Sequence, residues 1–193
     1  MAENVDQPKE GLDEHGLAIH EYASMVLVVV PAKGYDETTL RYARSALYNV
    51  HVGTRSVSVE TDGLILGHLQ DEFQVDQELD ESVTMEGYSG VLFCGGPGAR
   101  ELADDPNALR LAREAAASKK LLGAWAESVE VLVRAGVLRK KRVTGSPRLR
   151  DAVKAAGGKY VGTQVERHDN LVTAIDDAAG FRFGKALVQV VAI

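Results

Sequence analysis

A chain of 193 residues, 45% of them hydrophobic, can bury a sizeable core as one domain without disulfides or metals. Its formal net charge of -6 argues against a nucleic-acid binder, which needs clustered Lys and Arg against phosphates. A single cysteine excludes an internal disulfide and fits a reducing cytoplasm, and no apolar run approaches the roughly 20 residues of a membrane span.

Residues 1–21 are acidic and polar and lack the apolar stretch of a secretory signal. A flexible extension is expected there, followed by a single domain over residues 22–193. Met25-Val26-Leu27-Val28-Val29-Val30 is a continuous apolar run ended by Pro31, the pattern of a strand covered on both faces. Leu40, Ala43 and Leu47 then recur at helical spacing over 37–48. Residues 55–60 alternate as a strand exposed on one side does, and Asp62-Gly63 is a turn signal. Short strands at 64–66 and 72–76 complete a β-rich excursion at the sheet edge.

The α/β rhythm resumes at Gly90-Val91-Leu92-Phe93-Cys94, a buried strand ending in Gly95-Gly96-Pro97-Gly98. Asp105-Pro106 starts a helix that runs to about Ser118, with Asp as the cap and Pro in the first turn. Residues 121–124 form a short strand entering a helix over 127–134 that stops near Gly136. Val143-Thr144 begins another short strand. Pro147 starts a helix through Ala156, closed by Gly157-Gly158. Strands at 160–166 and 171–174 flank the Asp169-Asn170 turn, and a last helix covers 178–191. Strands alternating with helices predict a mainly parallel sheet with helices on both faces, a three-layer α/β/α sandwich. Ligands in such folds sit at the carboxyl ends of the strands, so the loops after Val30, Cys94 and Ala124 matter most.

Glycines at the end of the Cys94 strand let backbone N–H groups approach a ligand, although a plain tight turn fits the same residues. The spacing is neither a P-loop nor a dinucleotide fingerprint. Leu122-Gly123-Ala124-Trp125-Ala126-Glu127-Ser128 has the layout of a nucleophile elbow, a short strand turning sharply into a helix. The expected apex, Ala126, carries no nucleophilic atom, and Ser128 reads as a structural hydroxyl at the helix start. None of His15, His20, His51, His68 and His168 shows zinc-site spacing, and no metal or other cofactor is expected. Asp176 and Asp177 suit caps of the last helix, or an acidic pocket wall together with Asp36 and Glu127. Arg139-Lys140-Lys141-Arg142 fits either a solvated turn or a phosphate patch.

Three stretches in this order carry a resemblance: residues 26–37 (VLVVVPAKGYDE), residues 91–98 (VLFCGGPG), and Gly123-Ala124-Trp125-Ala126-Glu127 running into Ala135-Gly136-Val137-Leu138-Arg139. Over about residues 25–193 the chain resembles the ThiJ/PfpI superfamily, related to class I glutamine amidotransferase domains. The resemblance implies a flavodoxin-like fold. It also implies a cysteine at the elbow apex, commonly followed by His, and an acidic residue after the first strand. Asp36 fills the acidic position, while Ala126 and Glu127 stand where the cysteine and its neighbour are expected. Without that thiol the superfamily's hydrolase, glyoxalase or deglycase chemistry has no usual nucleophile.

Two readings follow. One is a non-catalytic protein with a degenerate site that binds a small molecule through Gly95, Gly96 and Trp125. The other is an enzyme acting on a small carbonyl or amide compound through Cys94 or the Asp36 and Glu127 carboxylates. Cys94, the only thiol, also suits a buried strand-end residue. The resemblance further implies a homodimer or larger assembly; nucleic-acid and membrane partners are not expected.

Overall fold

The computed structural model describes residues 22–59 and 63–191, and the backbone of β1 (Gly11–Leu12) and β2 (Ala18–Ile19), which pair antiparallel. Most of the predicted extension over residues 1–21, and Asp62 of the predicted turn, lie outside the described residues.

The apolar run after Met25 becomes β3 (Ser24–Val30) because both its faces are covered. Leu27 and Val29 pack into one core with α2 (Pro106–Ala117), α3 (Val129–Ala135) and Val153 of α4 (Arg150–Ala155). Val26, Val28 and Val30 pack into a second core with α1 (Glu37–Tyr48) and α5 (Gly180–Val191). Fully burying a Val or Leu side chain contributes about 1.5–3 kcal/mol, so period-two sorting of one strand into two cores fixes its register.

A seven-stranded sheet is built around β3. Its order is β13 (Val165–His168), β14 (Leu171–Ala174), β10 (Leu121–Trp125), β9 (Tyr88–Phe93), β3, β5 (Val52–Ser58) and β8 (Gln77–Glu78). Every neighbouring pair is parallel except β13 with β14. This is the flavodoxin-like three-layer α/β/α arrangement. A separate three-stranded sheet, β4 (Lys33–Tyr35), β6 (Leu64–Gly67) and β7 (Glu72–Gln74), forms the edge excursion.

Several boundaries differ from the sequence reading. The strand expected at 55–60 begins at Val52 and lies between β3 and β8, so only Arg55 is exposed. Its apparent polar alternation comes from Ser56, which is buried because its N–H and hydroxyl both donate to Asp76 Oδ2, at 2.7 and 2.6 Å. Those bonds also split the expected 72–76 strand, pulling the chain out of the hairpin into β8. The expected 160–166 strand divides in the same way. β12 (Lys159–Tyr160) pairs with β11 (Arg142–Val143), and β13 starts at Val165. The helices expected from 127, 147 and 178 open instead with 3-10 turns, Ala126–Ser128, Pro147–Leu149 and Asp177–Ala179. No described helix is long and apolar enough to cross a membrane.

Candidate functional site at the strand ends

Parallel β3, β9 and β10 deliver three loops to one end of the sheet. The loop after β3 passes through β4 to Asp36, the N-cap of α1, whose Oδ1 accepts the N–H groups of Thr38 and Thr39 at 3.0 and 3.2 Å. The loop after β9 carries Cys94, Gly95 and Gly96. The loop after β10 turns at Ala126, with φ of 53°, a left-handed conformation that costs a non-glycine residue about 1–2 kcal/mol. That strain is held from both sides. Ser128 Oγ accepts the Trp125 N–H at 3.1 Å and donates to the Phe93 carbonyl at 2.7 Å, while the Ser146 N–H donates to the Ala126 carbonyl at 3.1 Å. The serine is structural, as its place at the helix start suggested.

Behind the apex, Trp125 is fully buried and its indole Nε1 donates to Asp36 Oδ2 at 2.7 Å. Both oxygens of Asp36 are therefore committed, one to the helix cap and one to the indole. The candidate acid–base pair of Asp36 and Glu127 is not a free pair either, because Glu127 Oε1 lies 3.0 Å from the Arg148 guanidinium.

Cys94 does not rim a pocket. Its thiol is fully buried, 3.6 Å from the Gly95 carbonyl oxygen and 3.7 Å from that of Asp36. Burial, and then the nearby Asp36 charge, push the thiol well above its ordinary range and hold it protonated. Native protein should therefore alkylate with iodoacetamide at pH 8 far more slowly than unfolded protein, because reaction needs a thiolate with access. Equal rates in buffer and in denaturant would contradict this burial.

A cavity of about 330 Å³ opens at the elbow, lined by Asp36, His68, Gly96, Ala126, Glu127 and Ser146 and by Asp176 and Asp177. Of the residues expected to bind ligand, Gly96 lines it. Gly95 faces the Trp125 indole and backbone instead, and Trp125 supports the floor from behind. Asp176 occupies the cap position of the last 3-10 turn, yet its side chain makes no capping hydrogen bond. The cap reading is corrected there: the Asp176 side chain is exposed, and the Ala179 N–H donates to the Asp176 backbone carbonyl instead, at 3.4 Å. A larger cavity of about 610 Å³, between α1 and the β6–β7 hairpin, holds no part of the elbow. Volume alone does not choose between the two; the strand ends and the strained apex favour the smaller.

No spacing signal singles out His68, which the fold carries to this cavity from the turn after β6. Its partner is Glu37, a residue of the first helical turn, with Nδ1 2.9 Å from Glu37 Oε2. His51 sits in an exposed loop and His168 Nδ1 accepts the Arg142 N–H at 3.2 Å, so neither reaches the site. His15 and His20 lie outside the described residues. Among the described residues no group of His, Cys, Asp and Glu has the arrangement of a metal site.

Residues 24–190 match the DJ-1/PfpI family. The chain belongs to the DJ-1/PfpI family. An uncharacterized protein of Methanocaldococcus jannaschii is 25% identical over 169 residues, which are 86% of this chain and 82% of that one. The fold is similar to that of a ThiJ/PfpI domain protein from Brachyspira murdochii, with a TM-score of 0.83 at 20% identity, covering 89% of this chain and 98% of the other. It is similar also to DJ-1 of Schizosaccharomyces pombe, with a TM-score of 0.78 at 23% identity, covering 88% and 92%.

Proposed function

We propose that this DJ-1/PfpI protein binds a small molecule in the elbow cavity and does so without the family's cysteine chemistry. The observation that carries the reading is the apex itself. A left-handed backbone is kept at Ala126, facing a cavity at the strand ends, while the side chain offers only a methyl group. Strain of this kind persists where surrounding structure over-determines it, and it clusters at binding and catalytic sites. The rival reading, an enzyme working through Cys94 or through Asp36 and Glu127, has to use a buried protonated thiol or carboxylates already spoken for.

The test is turnover. Wild-type protein should show no methylglyoxal or amide turnover above that of buffer. Ala126→Cys should acquire an oxidation-prone thiol, moderated by the Glu127 carboxylate, since a like charge disfavours thiolate formation. Robust wild-type turnover that survives Cys94→Ser would defeat the proposal.

The protein is also proposed to self-associate. Tyr42, Tyr48, Leu64, Leu66 and Phe181 are exposed on α1, the hairpin and α5, which together offer an apolar surface to a second copy. Light scattering at micromolar concentration should give a dimeric mass or larger; a monomer would count directly against it.

A further inference from the structure

We propose that the elbow cavity takes a small uncharged amide, and that the Ser146 hydroxyl is the group that holds its carbonyl oxygen. The inference rests on the ligand-binding reading above and names both the class of ligand and a residue that recognises it.

Ser146 is the N-cap of the 3-10 turn Pro147–Leu149, a place where a serine hydroxyl normally accepts an N–H of the first turn. Here it accepts none. Pro147 has no N–H to offer, and the Leu149 N–H donates to the Ser146 carbonyl at 2.9 Å instead. Ser146 is only 6% exposed. Every other buried polar residue among those described makes a hydrogen bond or ion pair through its side chain, Ser128 of the same elbow included. Among the described residues the one buried side-chain oxygen or nitrogen sealed off without a hydrogen bond is Glu37 Oε2. The unpaired Ser146 oxygen is therefore not sealed, and the space it opens to is the cavity that Ser146 lines.

The loop that carries this hydroxyl is pinned along its length. The Ser146 N–H donates to the Ala126 carbonyl at 3.1 Å, which ties the residue to the strained apex. The Tyr160 hydroxyl donates to the Gly145 carbonyl at 2.8 Å, and the Thr144 N–H donates to Thr173 Oγ1 at 3.0 Å. A β-carbon at position 145 would stand 2.8 Å from Val129 Cγ2, so Gly145 is what lets the loop lie against the start of α3. A hydroxyl on so fixed a backbone loses little freedom on binding, and a ligand supplies the hydrogen bond that the fold leaves unmade.

Charge and polarity select the ligand. Asp36, Glu127, Asp176 and Asp177 line the cavity and no Lys or Arg does, so an anion is disfavoured. A cation gains little either. Asp36 is committed to the helix cap and the indole, Glu127 lies against Arg148, and Asp176 and Asp177 are exposed to water, which screens them. Glu127 and the two exposed aspartates still have lone pairs for neutral N–H groups, since an ionised carboxylate has about four acceptor sites. The lining is thus rich in acceptors, and Ser146 adds an O–H donor for a ligand oxygen. A primary amide matches both, with its carbonyl on Ser146 Oγ and its N–H groups toward the carboxylates. Pro97, Ala126, Pro147 and Ile175 offer apolar contact to a short chain, and a volume of about 330 Å³ sits at the small end of ligand pockets.

The experiment uses the ¹⁵N-labelled full-length protein, titrated with butanamide, pentan-2-one, butanoate and butylamine. Butanamide should shift the amides of Ala126, Glu127 and Ser146. It should bind about threefold or more tightly than pentan-2-one, which keeps the carbonyl but lacks the N–H groups, and about tenfold or more tightly than butanoate or butylamine. Ser146→Ala should weaken butanamide binding about fivefold, yet melt at or above the wild-type temperature, because the hydroxyl makes no bond within the fold. If pentan-2-one, butanoate or butylamine shifts the same residues as strongly as butanamide, the amide assignment falls and the ligand-binding cavity stands. If no probe shifts them, both fall. Butanamide binding that is unchanged in Ser146→Ala, or weakened only together with a lowered melting temperature, overturns the role given to the hydroxyl.

Discussion

Trp125→Phe is expected to lower stability by about 1–3 kcal/mol, and Trp125→Ala by about 5 kcal/mol or more. Phenylalanine keeps the apolar ring, which lies 5.2 Å from that of Phe183 between centroids. It removes the indole N–H and leaves the buried Asp36 Oδ2 without its donor. Alanine adds the loss of the largest fully buried side chain in the protein. Against a typical total stability of about 5–15 kcal/mol, the alanine variant retains little. Urea denaturation followed by far-UV circular dichroism is the suitable measurement, because the substitution removes the only tryptophan. The cost of the phenylalanine should shrink in an Asp36→Asn background if the hydrogen bond is its cause. A phenylalanine variant as stable as wild type would sink the idea that this bond ties the elbow to the first helix.

Gly96→Ala is expected to cost a comparable amount, about 3–5 kcal/mol. Gly96 has φ of 111° and ψ of 170°, a region open in practice to glycine alone. A β-carbon there would stand 2.5 Å from the Gly34 carbonyl oxygen and 2.6 Å from the Asp36 nitrogen. Both are backbone atoms, so no rotamer change relieves the overlap. The control is Gly136→Ala, where φ is 75° but nothing lies within 4 Å of the added carbon. That variant should lose only about 1–2 kcal/mol, the cost of the left-handed conformation. Thermal melts of the two variants that coincide would show that crowding against the β4 loop contributes nothing.

Elements whose apolar pattern was long and continuous were legible in the sequence. The run after Met25, the helical spacing of Leu40, Ala43 and Leu47, and the Asp105 cap all appear where the pattern puts them. The Asp105 carboxylate accepts the Ala108 N–H at 2.7 Å, as a cap should. Segments whose form depends on a distant partner were not legible. Ser56 reads as a surface residue until Asp76 satisfies it, and that single pairing relocates β8 and buries β5. The site divides in the same way. The turn at Ala126 is local chemistry, a strand running straight into a helix. The commitment of Asp36 to Trp125 spans 89 positions, and the contact of Glu37 with His68 joins the first turn of α1 to the turn after β6. Cys94 was ambiguous because a strand end faces either solvent or core, and only the packing of α1 against the sheet decides.

The two rims of the large sheet are unequal. One ends in β8, only two residues long, which pairs with β5 at Val57 and Ser58 alone, so among the described residues the start of β5 has no strand neighbour on that side. The other ends in the short antiparallel β13, where the Arg142 guanidinium lies 2.8 Å from the buried Glu166 carboxylate. Backbone groups left without a ladder partner are what lets a foreign strand add on, so the β5 side is the rim where such a strand would find its template.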